Sequence, residues 1–238
     1  MKFSFIQFNW LYFLIGINCL IFIVAFVVQS KLGFDVNLFY LFGGLVPSKV
    51  FTGSLWLLVT ANFFHLDILH FAFNMISLYK IGEIVNYYYD GRKLFTTFIL
   101  GGISGTVLSY FSAYLTHSDI LSLGASAGIF ALVGLLLGGT LRRNRYGMDL
   151  PFSAAEILPF AIISFLFGFL PGMNINNWAH LGGVVGGVFL GLILNNSMAV
   201  HINRIEKFVG ESLFVISFIF FIVSYVALIA NAYNLIKN

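Results

Sequence analysis

Seven long apolar runs dominate this chain, and each run is long enough to cross a lipid bilayer as a helix. A span needs about 20 mostly apolar residues to cross roughly 30 Å of hydrocarbon at about 1.5 Å per residue. We interpret the first run as an uncleaved span, because it is too long for a signal peptide and lacks a small-x-small cleavage site. The predicted spans cover residues 10–29, 65–87, 94–115, 122–141, 152–170, 178–195 and 211–232.

The composition excludes a water-soluble protein. Of the 238 residues, 60% are hydrophobic and 9% are charged, whereas soluble domains have about 45–50% apolar and about 25% charged residues. So few charges cannot cover a surface that faces water. We therefore predict an all-α, polytopic membrane helix bundle whose surroundings are a lipid bilayer and which binds no nucleic acid. The single cysteine, Cys19, rules out an internal disulfide framework.

Basic residues are distributed unevenly between the two sides of the predicted spans. If the N-terminus is cytoplasmic, three basic residues lie outside, namely Lys31, Lys49 and Lys237. Nine lie inside: Lys2, Lys80, Arg92, Lys93, Arg142, Arg143, Arg145, Arg204 and Lys207. This positive-inside bias predicts a cytoplasmic N-terminus, an extracytoplasmic C-terminus and inward-running second, fourth and sixth spans. The short termini and the absence of a transit-like N-terminus favour a plasma membrane of bacterial type.

A serine and a histidine occupy the same predicted depth on two of these spans. Ser126 lies 16 residues before Arg142, and His180 lies 15 residues before Asn195. At about 1.5 Å per residue, both lie roughly 23–24 Å above the inner boundary. If the two spans are neighbours, the imidazole can accept the serine proton, which nucleophilic catalysis requires.

The second predicted span adds two hydrogen-bond donors at this depth. His70 and Asn74 are spaced i and i+4, so they lie on one face of a helix. Together with backbone N–H groups near Ser126, they could stabilise a developing oxyanion. Gly124 would let a substrate backbone and a neighbouring helix approach closely.

Each of these residues also has an ordinary structural interpretation. Gly-x-Ser-x-Gly occurs easily by chance in a chain with 24 glycines, and serine and histidine often hydrogen-bond between membrane helices. The agreement in depth across three spans favours a site. A channel would need polar residues in the inner half as well, but the residues after Ser126 are apolar. A soluble-type hydrolase is excluded because no hydrophilic α/β scaffold surrounds the serine.

The sequence resembles the rhomboid family of intramembrane serine proteases over about residues 50–195. Four segments carry the resemblance: residues 53–65, His70-x-x-x-Asn74, Gly124-Ala-Ser126 and Ala179-His180-x-x-Gly183-x-x-x-Gly187. The resemblance implies a six-helix core followed here by one extra C-terminal transmembrane helix. We divide the chain accordingly into a protease core, 1–198, and a cytoplasmic connection with the seventh helix, 199–238.

The resemblance also implies roles for the polar residues. Ser126 would be the nucleophile and His180 the general base and acid, as a dyad without an acidic third member. His70, Asn74 and the backbone N–H of Ser126 would form the oxyanion hole.

Further positions of the resemblance concern packing around the dyad. Phe130 would stack on the catalytic imidazole, and Gly183 and Gly187 would let the sixth span pack closely on the fourth. The chain departs from the family in having Leu57 after Trp56, where arginine is frequent, and Ala127 after the serine, where glycine is frequent.

The resemblance implies a serine endopeptidase that cleaves transmembrane segments of single-pass proteins near the outer face of the membrane. The alternative is a catalytically inactive relative that binds or escorts membrane clients. We expect no cofactor and no metal, because His-Glu-x-x-His is absent and His65 and His70, at i and i+5, do not share a helix face.

The remaining predictions concern the outer surface and the C-terminal helix. The segment 170–178, with its Pro-Gly turn, is predicted to be a mobile cap between the fifth and sixth spans. The seventh span is interpreted as an added scaffold helix, with a role in substrate docking left open. Oligomeric state and substrate identity do not follow from the sequence.

Overall fold

The regular secondary structure is helical in the part of the chain that the structure describes, apart from one isolated β-bridge. A computed structural model describes residues 8–33, 35–118, 121–142, 150–157, 159, 162, 176–197 and 204–237. The helices are α1 (Trp10–Leu32), α2 (Val36–Leu41), α3 (Pro47–Phe51), α4 (Leu57–Thr60), α5 (Ile68–Tyr89), α6 (Gly91–Leu115), α7 (Ser126–Leu141), α8 (Asn177–Ile193) and α9 (Arg204–Lys237), with a 3-10 turn at Ala61–Phe63.

Four of the described helices are long and apolar enough to cross a membrane, namely α1, α5, α6 and α9. The predicted class, an all-α polytopic membrane bundle, is confirmed. Helices α7 and α8 are apolar but have only 16 and 17 residues. Helix α7 is therefore about 24 Å long, which is less than the hydrocarbon thickness of about 30 Å. Most of the predicted fifth span, 152–170, lies outside the described residues.

Helix α7 begins later than the hydropathy pattern predicts. Residues 122–125 of the predicted fourth span are not helical, because Ser122 pairs with Leu45 in an antiparallel bridge with N–H···O distances of 2.9 and 3.2 Å. Gly124 has a φ of +103°, which favours glycine and is incompatible with an α-helix. Ser126 is therefore the first residue of a helix, and the predicted span, 122–141, begins four residues before the helix does.

The second predicted span also begins later than expected. Asp67 caps α5, since its carboxylate accepts a hydrogen bond of 2.7 Å from the His70 N–H, as side chains at helix N-caps commonly do. His65 therefore lies before the helix and not on it.

The connection between the first two long helices, α1 and α5, folds into short helices with a core of their own. We call residues 36–63 the loop layer. Its buried apolar residues pack together and against Phe64; they include Phe39, Leu45, Val50 and Leu57. The loop layer covers the end of the bundle at which α7 begins, which we call the serine end. The opposite end, where Arg142 lies, is called the basic end.

Helices α6, α7 and α8 pack so closely that their backbones touch. A methyl group on Gly187 of α8 would collide with the carbonyl of Ala131 on α7. A methyl group on Gly105 of α6 would lie 2.5 Å from the carbonyl oxygen of Ala179 on α8. Small residues permit this contact, which supplies van der Waals attraction where lipid removes the hydrophobic driving force between helices.

Helix α9 lies against α6 and the loop layer. At the basic end, Arg142 pairs with Glu206 at 2.9 Å, and Arg92 pairs with Glu211 at 2.7 Å. Helix α8 ends at Ile193 and α9 begins at Arg204. The division of the chain at residue 198 stays a prediction.

Replacing Gly187 with alanine is expected to separate α7 from α8 and to lower the free energy of unfolding by about 1–3 kcal/mol. The reason is that the added methyl group meets backbone, which cannot rotate away. Thermal unfolding in detergent micelles measures the change. Gly16→Ala is the matched control, because no atom of another helix lies within 4 Å of the added methyl group on α1. Equal unfolding temperatures for the two variants would contradict the close contact.

Candidate active site

Ser126 and His180 meet at the serine end of the bundle. The Ser126 Oγ lies 2.9 Å from the His180 Nε2, a hydrogen-bond distance at which the hydroxyl can donate to an unprotonated imidazole nitrogen. His180 is 5% exposed, and Ser126 is half-buried. Two residues that are 54 positions apart thus form one contact, which is the geometry of a nucleophile and its base.

The imidazole of His180 is held in place by its surroundings. The ring of Phe130 stacks on it with a centroid distance of 4.2 Å and an interplanar angle of 21°. The His180 Nδ1 is buried, and within the residues that the structure describes it has no hydrogen-bond partner. Stacking, and not a carboxylate, therefore orients the ring in the described part of the site.

The start of α8 is anchored to α6. Asn176 caps α8 by accepting a hydrogen bond of 3.2 Å from the Ala179 N–H, and its amide donates to the Ser109 hydroxyl. One turn further, the Ser104 hydroxyl donates to the carbonyl of Gly182. These bonds set the height of His180 in the bundle. Residues 170–175 of the predicted cap lie outside the described residues.

The first turn of α7 makes the site attractive to a negative charge. The first N–H groups of a helix have no partner within the helix, and the aligned peptide dipoles place positive partial charge there. Ser126 is the first residue of α7, so its own N–H belongs to this set. An oxyanion that forms on a carbonyl oxygen when the Ser126 Oγ attacks the carbonyl carbon would therefore lie close to backbone donors.

Gly124 lies against the two polar side chains that α5 contributes. A Cβ at this position would lie 2.6 Å from the His70 Cε1 and 3.2 Å from the Asn74 Nδ2. The positive φ and the lack of space both demand glycine here. The structure therefore brings His70, Asn74 and the turn before Ser126 together, although they come from different parts of the chain.

His65 is a site residue whose position the sequence did not reveal. It is 1% exposed, and its Nε2 lies 3.1 Å from the Asn74 Nδ2 and 3.3 Å from the Ala125 backbone nitrogen. Both neighbours are donors, so the Nε2 accepts and the Nδ1 carries the hydrogen. His65 therefore orients the Asn74 amide and holds the residue immediately before Ser126.

His65 and His70 lie close together, although they do not share a helix face. Their rings have a centroid distance of 5.2 Å, because His65 precedes the Asp67 cap and folds back over the start of α5. A histidine two residues before the capping residue Asp67, after an otherwise apolar segment, was the sequence signal that could have drawn attention to it. In the part of the chain that the structure describes, no group of three or more His, Cys, Asp or Glu side chains could hold a metal ion. The absence of a metal and of a cofactor stays a prediction.

Comparison with known proteins identifies the family. The family model of the Rhomboid domain matches residues 52–197, which is more than half of the chain. The chain belongs to the rhomboid family. The resemblance found in the sequence is thereby confirmed. The match extends over α4 to α8, whereas α1, α2, α3 and α9 lie outside it.

Several curated proteins resemble this rhomboid. It is 33% identical over 148 residues to the rhomboid protease GluP of Bacillus subtilis, and this match covers 62% of this chain and 28% of that protein. It is 27% identical over 152 residues to RHOMBOID-like protein 5 of Arabidopsis thaliana, and this match covers 64% of this chain and 48% of that protein. It is 27% identical over 163 residues to Rhomboid-like protease 2 of Toxoplasma gondii, and this match covers 66% of this chain and 54% of that protein. The rhomboid thus spans about a quarter to a half of the length of these relatives.

Replacing His65 with alanine is expected to lower the free energy of unfolding of this rhomboid by about 1–3 kcal/mol, because two buried donors lose their shared acceptor. Thermal unfolding in detergent checks the loss. His117→Ala removes an exposed imidazole at the end of α6 and is expected to leave the unfolding temperature unchanged. If both variants behave alike, His65 does not hold the site together.

Proposed function

We propose that this rhomboid is an intramembrane serine endopeptidase with Ser126 as nucleophile and His180 as general base and acid. The observation that carries the proposal is the 2.9 Å contact between the Ser126 Oγ and the His180 Nε2. Rhomboid family membership and the name of the Bacillus subtilis relative, a rhomboid protease, support it. No cofactor takes part in this mechanism.

Acylation starts when the Ser126 Oγ attacks the scissile carbonyl carbon. The hydroxyl proton passes to the His180 Nε2, and a tetrahedral oxyanion forms. The imidazolium then donates this proton to the leaving amine as the C–N bond breaks, which leaves an acyl ester on the serine. Water, with His180 again as base, hydrolyses the ester and restores the hydroxyl.

The oxyanion is stabilised by donors that converge on the turn before α7. We assign this role to the His70 and Asn74 side chains and to the backbone N–H of Ser126. The contacts of Gly124 with His70 and Asn74 support the assignment, and the free N–H groups of the first helical turn add to it. Phe130, Gly183 and Gly187 are supporting residues that hold the imidazole and the α7–α8 contact.

The surroundings of the site favour substrates that lie in the bilayer. Large apolar side chains on α5 and α8 are exposed near the serine end, among them Leu69, Phe73 and Trp178. A surface of this kind faces lipid, so a substrate reaches the site from the membrane. We propose that the substrates are transmembrane segments of single-pass proteins.

We propose that the serine end faces the outer side of a plasma membrane, with a cytoplasmic N-terminus and an extracytoplasmic C-terminus. Arg92 and Arg142 form ion pairs with glutamates of α9, and both arginines lie at the basic end of the bundle. Basic residues concentrate at cytoplasmic ends, which supports this orientation. Cleavage would then occur near the outer membrane face.

Ser126→Ala and His180→Ala are each expected to abolish both labelling by a fluorophosphonate probe and cleavage of a reconstituted single-pass substrate. The first removes the attacking oxygen, and the second removes the group that accepts its proton. Labelling followed by gel fluorescence and mass spectrometry measures the first effect. The thermal unfolding temperature serves as the folding control.

An inactive relative that escorts membrane clients gives a different result. The parent protein would then bind the substrate without cleaving it and would not be labelled. Cleavage by Ser126→Ala at the parent rate would exclude the assigned nucleophile.

Asn74→Ala is expected to lower kcat by about 100-fold to 1000-fold with little change in KM, because the amide acts on charge that develops only in the transition state. Steady-state cleavage in detergent or liposomes measures both constants. Asn37→Ala replaces an exposed asparagine on α2; it is the control and is expected to retain parent kinetics. An Asn74→Ala effect confined to KM would place the amide outside the oxyanion hole.

A further inference from the structure

Helix α9 contacts more than the neighbouring spans. The Tyr40 hydroxyl in the loop layer lies 3.2 Å from the Asn231 Oδ1 on α9 and 3.0 Å from the Ser54 Oγ. Leu228 of α9 packs over Gly43, where an added methyl group would lie 3.3 Å away. The serine-end half of α9 is thus attached to the loop layer itself.

Two aromatic residues of α9 pack on the turn that precedes His65. The rings of Phe221 and Tyr225 lie 5.5 and 5.8 Å from the ring of Phe63. Phe63 is fully buried, and its 3-10 turn ends two residues before His65. Aromatic pairs at these separations contribute specific attraction in addition to burial.

The same turn is bonded to the residues that precede Ser126. The carbonyl of Ala61 accepts a hydrogen bond of 2.9 Å from the Gly124 N–H. His65 accepts from the Ala125 N–H. Two short connections therefore link Tyr225 on α9 to the start of α7, and both pass through residues 61–65.

The position of α9 along the bundle is fixed at its other end. Glu206 and Glu211 pair with Arg142 and Arg92 at the basic end. From Glu211 to Asn231 is 20 residues, or about 30 Å of helix, which matches the hydrocarbon thickness. The ion pairs thus set the height at which Tyr225 and Asn231 meet the loop layer.

We propose that α9 is a positioning element that holds residues 61–65 through Phe221 and Tyr225, and the rest of the loop layer through Asn231, and thereby keeps Gly124 and Ala125 in the geometry that Ser126 needs. This role rests on the proposed protease function. It goes beyond a scaffold role, since a helix that only adds stability would not change the geometry at Ser126. None of the three residues is a catalytic residue, because each acts through Phe63 or Tyr40.

Tyr225→Ala tests the proposal against two matched variants. Tyr225→Phe keeps the ring and removes a buried hydroxyl that has no hydrogen-bond partner within the described residues. Phe214→Ala deletes a half-buried aromatic ring from the same helix, but one that packs on Trp10 and Phe95 near the basic end. The first readout is the rate constant for fluorophosphonate labelling of Ser126. The second is hydrogen–deuterium exchange of residues 121–126 in detergent.

We expect Tyr225→Ala to slow labelling by about tenfold or more, since small misplacements at a reacting centre cost up to about 100-fold. Exchange at residues 121–126 should become faster, because the segment opens locally more often. Tyr225→Phe should match the parent in both readouts. Phe214→Ala should lower the unfolding temperature and leave both readouts of the folded protein unchanged.

Equal exchange at residues 121–126 in Tyr225→Ala and Phe214→Ala would overturn the proposal. If the parent protein is not labelled at all, the protease function fails, but hydrogen exchange still tests the positioning role. Should Tyr225→Ala not fold, Asn231→Leu replaces it with the same expected direction in both readouts.

Discussion

The backbone contact between α7 and α8 is the constraint on which the rest of the site depends. Glycines on α8 face carbonyl groups of α7 at intervals of one turn, with Gly183 against Ala127 and Gly187 against Ala131. Any side chain at these positions would move the two helices apart. The 2.9 Å contact between Ser126 and His180 exists because this packing leaves no room for a different spacing.

A second constraint acts on the few residues before Ser126. The turn at 121–125 is bonded to Leu45, Ala61 and His65, so the loop layer determines where α7 begins. Helix α7 is about 24 Å long, shorter than the hydrocarbon thickness of about 30 Å, and the loop layer covers the end at which its first N–H groups lie. A serine at this position combines a buried environment with backbone donors, which a serine in the middle of a helix would lack.

Hydropathy predicted the membrane class and most of the helices, since spans of apolar residues in a bilayer must satisfy their backbone groups as helices. It failed at residues 122–125, which form a bridge and a turn and not a helix. An apolar segment buried in protein and one exposed to lipid have the same composition. Here the bridge between Ser122 and Leu45, 77 positions apart, shows that the segment packs against protein. Hydropathy contains no information about such a pairing.

The sequence by itself determined the family, the membrane bundle and the common depth of Ser126, His180 and His70. Depth follows from the number of residues along a helix, because each residue adds a constant rise. The tertiary structure alone decided which helices are neighbours, that His65 joins Asn74 to Ala125, and that α9 packs on the loop layer. Lateral arrangement depends on contacts between distant residues, and no local pattern encodes these contacts.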